Sequence, residues 1–207
     1  MIDLREALKK RILPAVTFDD ASQALKVAEI FLTKGLAVME VPLRTPVALE
    51  AISLVRKHFP EMTIGVGTIL NTSQLQQAID AGAEFGLSAG LNPGVLATSI
   101  AKDFAFIPGV MTPGEIEKCL EMGVHILKLF PAAQVGGVDF LKAVNGPYGH
   151  LGVKFIPMGG VNAQNTPEYL ALPNVIAIGG SWIAAKNLLS AKNYSGIEAN
   201  VTALLNE

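Results

Sequence analysis

Short, nearly all-apolar runs alternate with longer amphipathic stretches along the whole chain. The apolar runs occupy residues 12–18, 38–43, 63–68, 85–88, 104–107, 126–130, 154–157 and 175–178. Strands that are apolar on both faces are strands covered on both faces, which is the habit of parallel sheets. Helical patterns fill the intervals at 21–34, 46–59, 72–81, 93–102, 113–122 and 138–144, with weaker ones at 166–170 and within 195–205. Asp19 and Asp20 are placed to cap the first helix, and Gly35, Gly82 and Gly123 to end three of them. A small polar residue or Pro at the start and Gly at the end is the expected asymmetry of helix termini. Eight strands alternating with helices predict a (β/α)8 barrel with a short N-terminal helix, and an open doubly wound sheet is the alternative. No linker or low-complexity stretch divides the chain, so one domain over residues 1–207 is expected.

Composition sharpens this picture in a few places. Half the residues are hydrophobic and only 16% are charged, enough apolar matter for a large core. The net charge is −2 and no basic block stands out, which argues against nucleic acid as a partner. The single cysteine, Cys119, excludes an intrachain disulfide and suits a reducing compartment. Residues 1–10 alternate charged and apolar positions rather than forming a signal-peptide core. No run approaches the roughly 18 uninterrupted apolar residues of a membrane helix. A soluble, cytoplasmic protein is expected.

The candidate chemistry begins with Lys128, which lies inside His125-Ile126-Leu127-Lys128-Leu129-Phe130-Pro131. Burying an ammonium among such residues is costly unless it is paired or gives up its proton, and a neutral amine can attack a carbonyl to form a Schiff base. Glu40 is equally isolated in its own apolar strand. Alternation by two puts Val38, Glu40 and Pro42 on one face, and Ile126, Lys128 and Phe130 on one face of the sixth strand. Barrels keep active residues at the C-terminal ends of their strands, where this chain also places Arg44, Thr68 and Ser88. The structural alternative is a buried Lys128–Glu40 ion pair with no chemistry. Two glycine pairs, Gly159-Gly160 after the seventh strand and Gly179-Gly180-Ser181 after the eighth, lie where barrels commonly bind phosphate. Gly65-Val66-Gly67-Thr68 lacks the third glycine and downstream acid of a dinucleotide site. His58, His125 and His150 show no metal-ligand spacing, and Ser88 has no nucleophile-elbow pattern.

Several of these segments together resemble the 2-keto-3-deoxy-6-phosphogluconate (KDPG) aldolases and their 4-hydroxy-2-oxoglutarate (KHG) aldolase relatives. The matching stretches are Val38-Met39-Glu40-Val41-Pro42-Leu43-Arg44-Thr45, Gly65-Val66-Gly67-Thr68-Ile69-Leu70, Ile107-Pro108-Gly109-Val110, Ile126-Leu127-Lys128-Leu129-Phe130-Pro131-Ala132 and Ile178-Gly179-Gly180-Ser181-Trp182-Ile183. The resemblance implies a (β/α)8 homotrimer that works through a Schiff-base lysine without metal or other cofactor on a phosphorylated keto-acid. It implies Lys128 as the imine lysine, Glu40 as general acid and base, and Arg44 and Thr68 as ligands of the pyruvyl carboxylate. Phe130 would pack beside the lysine, and Gly159, Gly160, Gly179, Gly180 and Ser181 would cradle the phosphate. Two positions depart from the family's pattern. Met158 stands where many relatives carry Thr before the seventh-strand glycines, and Ser88-Ala89-Gly90 stands where relatives often read Ser-Pro-Gly. Cleavage of 4-hydroxy-2-oxoglutarate, a barrel that binds a phosphorylated ligand without turnover, and a pyridoxal phosphate lysine are the other readings.

Overall fold

The computed structural model describes residues 2–206. Its strands are β1 (Ile12–Pro14), β2 (Val38–Pro42), β3 (Thr63–Gly67), β4 (Phe85–Leu87), β5 (Ala105–Ile107), β6 (Gly109–Val110), β7 (Ile126–Leu129), β8 (Lys154–Pro157) and β9 (Ile178–Gly180). Every strand pairing is parallel: β1 with β9, β2 through β5 in order, and β6 through β8 in order. Two bridges, Ala15 to Glu40 and Phe155 to Val175, join β1 to β2 and β8 to the start of the last strand. Continuity through Pro108 joins β5 to β6, and the sheet closes on itself. The fold is a (β/α)8 barrel; the doubly wound alternative falls because β1 and β9 pair.

The departures from the expected strands have tertiary causes. The fifth barrel position holds two short strands because Pro108 offers no N–H; β5 pairs backwards with β4, and β6 pairs forwards with β7. The first strand was expected to reach residue 18, but its regular ladder ends at Pro14, where the chain passes from β9 to its other neighbour at Ala15. The last strand runs later than expected. Val175 bridges to β8, whereas Ile178–Gly180 pair with β1, so Gly179 and Gly180 belong to the strand and not to the loop beyond it.

The helices follow the amphipathic pattern closely at Ala48–His58, Thr72–Asp80, Pro93–Ala101 and Pro113–Glu121. Asn71, Asn92 and Thr112 cap the last three, and Thr112 and Glu115 form a capping box. Asp19 and Asp20 do not cap Gln23–Thr33: Asp20 accepts from Ser22, and Asp19 pairs with Lys186 at the surface. The short N-terminal helix is present at Leu4–Ala7. Lys186–Ser190 is a further short helix that the pattern did not reveal. No described helix is long and apolar enough to cross a membrane. Cys119 is buried, and desolvation with the nearby Glu115 charge pushes its thiol up to about 12.

Register decides what fills the barrel. Glu40 pairs with Gly65, Gly65 with Phe85, and Phe85 with Ala105, so these four share a face. A Cβ on Gly65 would run into the Phe85 ring, so the missing side chain on β3 is what lets phenylalanine fill the interior. Counting by two from Ala105 leads through Ile107 to Gly109, which pairs with Lys128. The barrel thus turns Glu40 and Lys128 inward from different sides.

Candidate active site

Lys128 and Glu40 meet inside the barrel. Their side chains are 4% and 1% exposed, with Nζ 3.9 Å from Oε1. That separation is an ion-pair distance but too long for a hydrogen bond, so neither group is locked onto the other. Lys128 is held by its backbone: its N–H donates to the Pro108 carbonyl at 2.9 Å, and Gly109 and Ile156 flank it in register. Its Nζ stands 5.2 Å from the centre of the Phe130 ring, within reach of a cation–π contact whenever the amine is charged. The second carboxylate oxygen of Glu40, Oε2, is buried and has no hydrogen-bond partner. A buried acceptor in that condition is a group that a substrate hydroxyl or water would satisfy.

Gly67 makes room for the carboxylate. A Cβ built there would overlap Glu40 Oε1, so the acid's position depends on the absence of a side chain on the neighbouring strand. Gly67→Ala is expected to displace Glu40, and turnover that depends on that carboxylate should fall about 10²-fold, the scale of a misplaced group. Steady-state rates beside a thermal melt check this; wild-type turnover in a folded variant would detach function from the position of Glu40.

The strand ends nearby supply a cation and a hydroxyl. Arg44 Nε donates to Thr68 Oγ1 at 3.2 Å. Thr68 has φ of 61°, a left-handed conformation that is strained for a β-branched residue. This sharp turn ends β3 and brings the hydroxyl to the exposed Arg44, whose planar guanidinium can grip a carboxylate in two places. Ser88 plays a different part. It is 2% exposed, donates to the Gly90 carbonyl at 2.7 Å and accepts from the Gly109 N–H at 3.2 Å, tying the loop after β4 to the strand beside Lys128.

The loop after β8 is built to present backbone N–H groups. Gly159 and Gly160 have φ of 85° and 84°, open to glycine and strained for other residues. The carbonyls point away: Met158 O accepts from Ala132 N–H at 2.7 Å and Gly159 O from Ala133 N–H at 2.9 Å. Among the described residues, no acceptor takes the N–H of Gly159, Gly160 or Val161. Successive unpaired N–H groups of this kind form an anion-binding concavity. Ser181 follows β9 directly and is exposed. The other two glycines are placed differently from expectation. Gly179 pairs with Leu13, two residues from the Ala15 partner of Glu40, so it faces the barrel interior. There a Cβ would collide with Met158 Cε, and Met158, 4% exposed, occupies the ground above it. On Gly180 a Cβ would stand 2.8 Å from Trp182 Nε1 and 3.6 Å from the Val161 carbonyl.

Residues 4–200 match the family described as "KDPG and KHG aldolase". The chain belongs to that family. It is 40% identical over 200 residues to a 2-dehydro-3-deoxy-phosphogluconate aldolase of Treponema pallidum, covering 96% of this chain and 94% of the relative. It is 37% identical to the KHG/KDPG aldolase of Escherichia coli K12, over 90% of this chain and 86% of that one. Among solved structures, the KDPG aldolase of Legionella pneumophila superposes with a TM-score of 0.94 at 36% identity, covering 98% of both chains. That structure holds pyruvate captured at low pH as a covalent carbinolamine intermediate.

In this aldolase the structure therefore gathers Lys128, Glu40 and Phe130 in one place, joins Arg44 to Thr68, and sets Gly159 and Gly160 in a loop with successive unpaired N–H groups. The histidines stay apart from the site: His58 and His125 are exposed and their Nδ1 atoms lie 2.9 and 3.1 Å from the carbonyls of Leu54 and Leu151. Among the described residues no cluster of three or more His, Cys, Asp and Glu has metal-binding geometry. Clefts of about 380 and 540 Å³ open at the N-terminal ends of the strands, lined by Arg5, Phe104 and His125 in one and by Arg5, Arg11 and Lys154 in the other. Neither cleft contains a carboxylate. Gly67, which makes room for Glu40, was passed over in the sequence; its trace was two glycines spaced by two within one strand, a mark of close approach.

Proposed function

We propose that this aldolase cleaves 2-keto-3-deoxy-6-phosphogluconate reversibly to pyruvate and glyceraldehyde 3-phosphate through an imine on Lys128. The observation that carries this reading is the inward-facing amine and carboxylate, 3.9 Å apart and not hydrogen-bonded to each other. The neutral amine adds to the C2 ketone; the carbinolamine hydroxyl takes up a proton from solvent and leaves as water, and a cationic imine remains. Glu40, directly or through one water, takes the proton of the C4 hydroxyl while the C3–C4 bond breaks. The electron pair of that bond passes into the imine and leaves an enamine, and the aldehyde departs. Glu40 returns a proton to C3, and addition of water frees pyruvate and the amine and gives back to solvent the proton taken up when the imine formed. One carboxylate can serve as base and then as acid because the proton it takes from the C4 hydroxyl is returned to the adjacent carbon, C3. Arg44 and Thr68 hold the carboxylate that fixes C2 against Lys128, and Phe130 lies against the charged intermediate. The unpaired N–H groups of Gly159, Gly160 and Val161 with the Ser181 hydroxyl take the phosphate. The strand glycines Gly179 and Gly180 contribute by staying out of the way.

Met158 favours a second reading, 4-hydroxy-2-oxoglutarate cleaved to pyruvate and glyoxylate, because a thioether offers no donor to a phosphate. Pyruvate release from both substrates separates the two. Under the first reading Ser181→Ala weakens use of the phosphorylated substrate by roughly ten- to a hundredfold, the scale of one hydrogen bond to a charged group, and spares 4-hydroxy-2-oxoglutarate. Met158→Thr is expected to improve the phosphorylated substrate by a smaller factor. Faster wild-type cleavage of 4-hydroxy-2-oxoglutarate selects the second reading, and release of pyruvate from neither rejects both. What supports a homotrimer in the cytoplasm is the family resemblance.

A further inference from the structure

We infer that Asn165 is the positioning residue that aims the Val161 N–H, the last of the three loop donors, at the anionic end of the substrate. The inference rests on the phosphate reading above and adds to it a side chain on which that specificity depends. A peptide unit that turns its N–H toward a ligand must turn its carbonyl the opposite way, and that carbonyl then needs a donor of its own. Backbone groups of residues 132 and 133 meet this need for Met158 and Gly159. For Gly160 no backbone donor does so. Its carbonyl is held by Asn165 Nδ2 at 3.0 Å, with Asn162 Nδ2 farther off at 3.5 Å.

The Asn165 amide is fixed at both ends. While Nδ2 donates to Gly160 O, Oδ1 accepts from the Asn162 N–H at 2.9 Å, so one side chain spans both flanks of the Gly160–Val161 unit. These two bonds also settle the orientation of the amide, since a flipped group would face a carbonyl with its oxygen and an N–H with its nitrogen. Asn162 supports the arrangement: its Oδ1 accepts from the N–H groups of Gln164 and Asn165, and its carbonyl accepts from Thr166 Oγ1 at 2.8 Å. The peptide that joins Gly160 to Val161 carries the Val161 N–H on the side opposite the clamped carbonyl. Both glycines have positive φ and little intrinsic preference between conformations, so without the clamp the Gly160–Val161 peptide is free to rotate. One of the three aligned donors would become mobile while the other two stay fixed, and binding would bear the cost of ordering it.

Asn165→Asp and Asn165→Ala test this together. The aspartate keeps the shape and the acceptor for the Asn162 N–H but loses the donor to Gly160 O; the alanine loses both. We expect each to raise KM for 2-keto-3-deoxy-6-phosphogluconate about tenfold or more, with little change in kcat. Inhibition by inorganic phosphate should weaken in parallel. Cleavage of 4-hydroxy-2-oxoglutarate and borohydride trapping of pyruvate should stay within about twofold of wild type, which also shows that the variants are folded. Equal losses on both substrates, or no loss on the phosphorylated one, overturn the inference while leaving the phosphate site standing. A wild-type enzyme indifferent to the substrate phosphate and to inorganic phosphate would remove the site and the inference together.

Discussion

Lys128→Ala is expected to abolish both covalent capture of pyruvate and cleavage. With the wild-type enzyme, pyruvate and borohydride should add one pyruvate-derived mass to the peptide that contains Lys128, and activity should vanish as the adduct forms. The alanine variant should show neither adduct nor turnover. The loss should exceed the roughly 10²–10⁴ that a positioned acid or base contributes, because removing the amine removes the electron sink and not only a proton carrier. Peptide mass spectrometry locates the adduct. Full cleavage by an enzyme whose Lys128 stays unmodified would end the imine mechanism, and the pair with Glu40 would then be a structural one.

Glu40→Gln is expected to divide the reaction in two. The amide keeps the outline of the carboxylate above Gly67 but cannot cycle a proton, so cleavage should fall by about 10²–10⁴. Trapping of pyruvate should survive at a reduced rate, since addition to the ketone is the work of Lys128. Single-turnover cleavage measured beside borohydride trapping separates these steps. Wild-type cleavage by the variant would leave Glu40 as no more than the lysine's buried partner. Its cost would then be one of stability, because breaking a buried pair leaves the other charge uncompensated.

The two central residues were legible from sequence for one reason: an ionisable side chain alone in an apolar strand is an anomaly that packing does not explain. Alternation by two then gave their facing correctly. The alternation of strands and helices likewise led to the barrel, because strand and helix periods are local. What was hidden depends on partners distant in sequence. Nothing local marks residues 107–110 as handing over from one neighbour to another at Pro108. Nothing local moves the last ladder from residues 175–178 to Ile178–Gly180 either, since that shift follows from pairing with β1. Helix Gly137–Tyr148 continues through Asn145-Gly146-Pro147, which reads as a turn, because Leu141, Val144 and Tyr148 are buried along it. Asn162 and Asn165 look like ordinary turn residues until the Gly160 carbonyl is seen between them. Gly179 and Gly180 looked like a loop until the register showed them to be a strand.

The seam between β1 and β2 is narrow. It consists of the bridge from Ala15 to Glu40 and the bond from Val16 N–H to the Glu40 carbonyl at 2.8 Å. The residue proposed to move the proton is therefore also the residue at which the barrel shuts. Local opening there parts the cylinder and removes one of the two strand neighbours that hold the Glu40 backbone, leaving β3 alone to keep its carboxylate opposite Lys128. Conversely, a ligand that fastens the Glu40 side chain also latches the seam, and occupancy of the site should slow amide exchange at Val16 on the far side of the peptide from the chemistry.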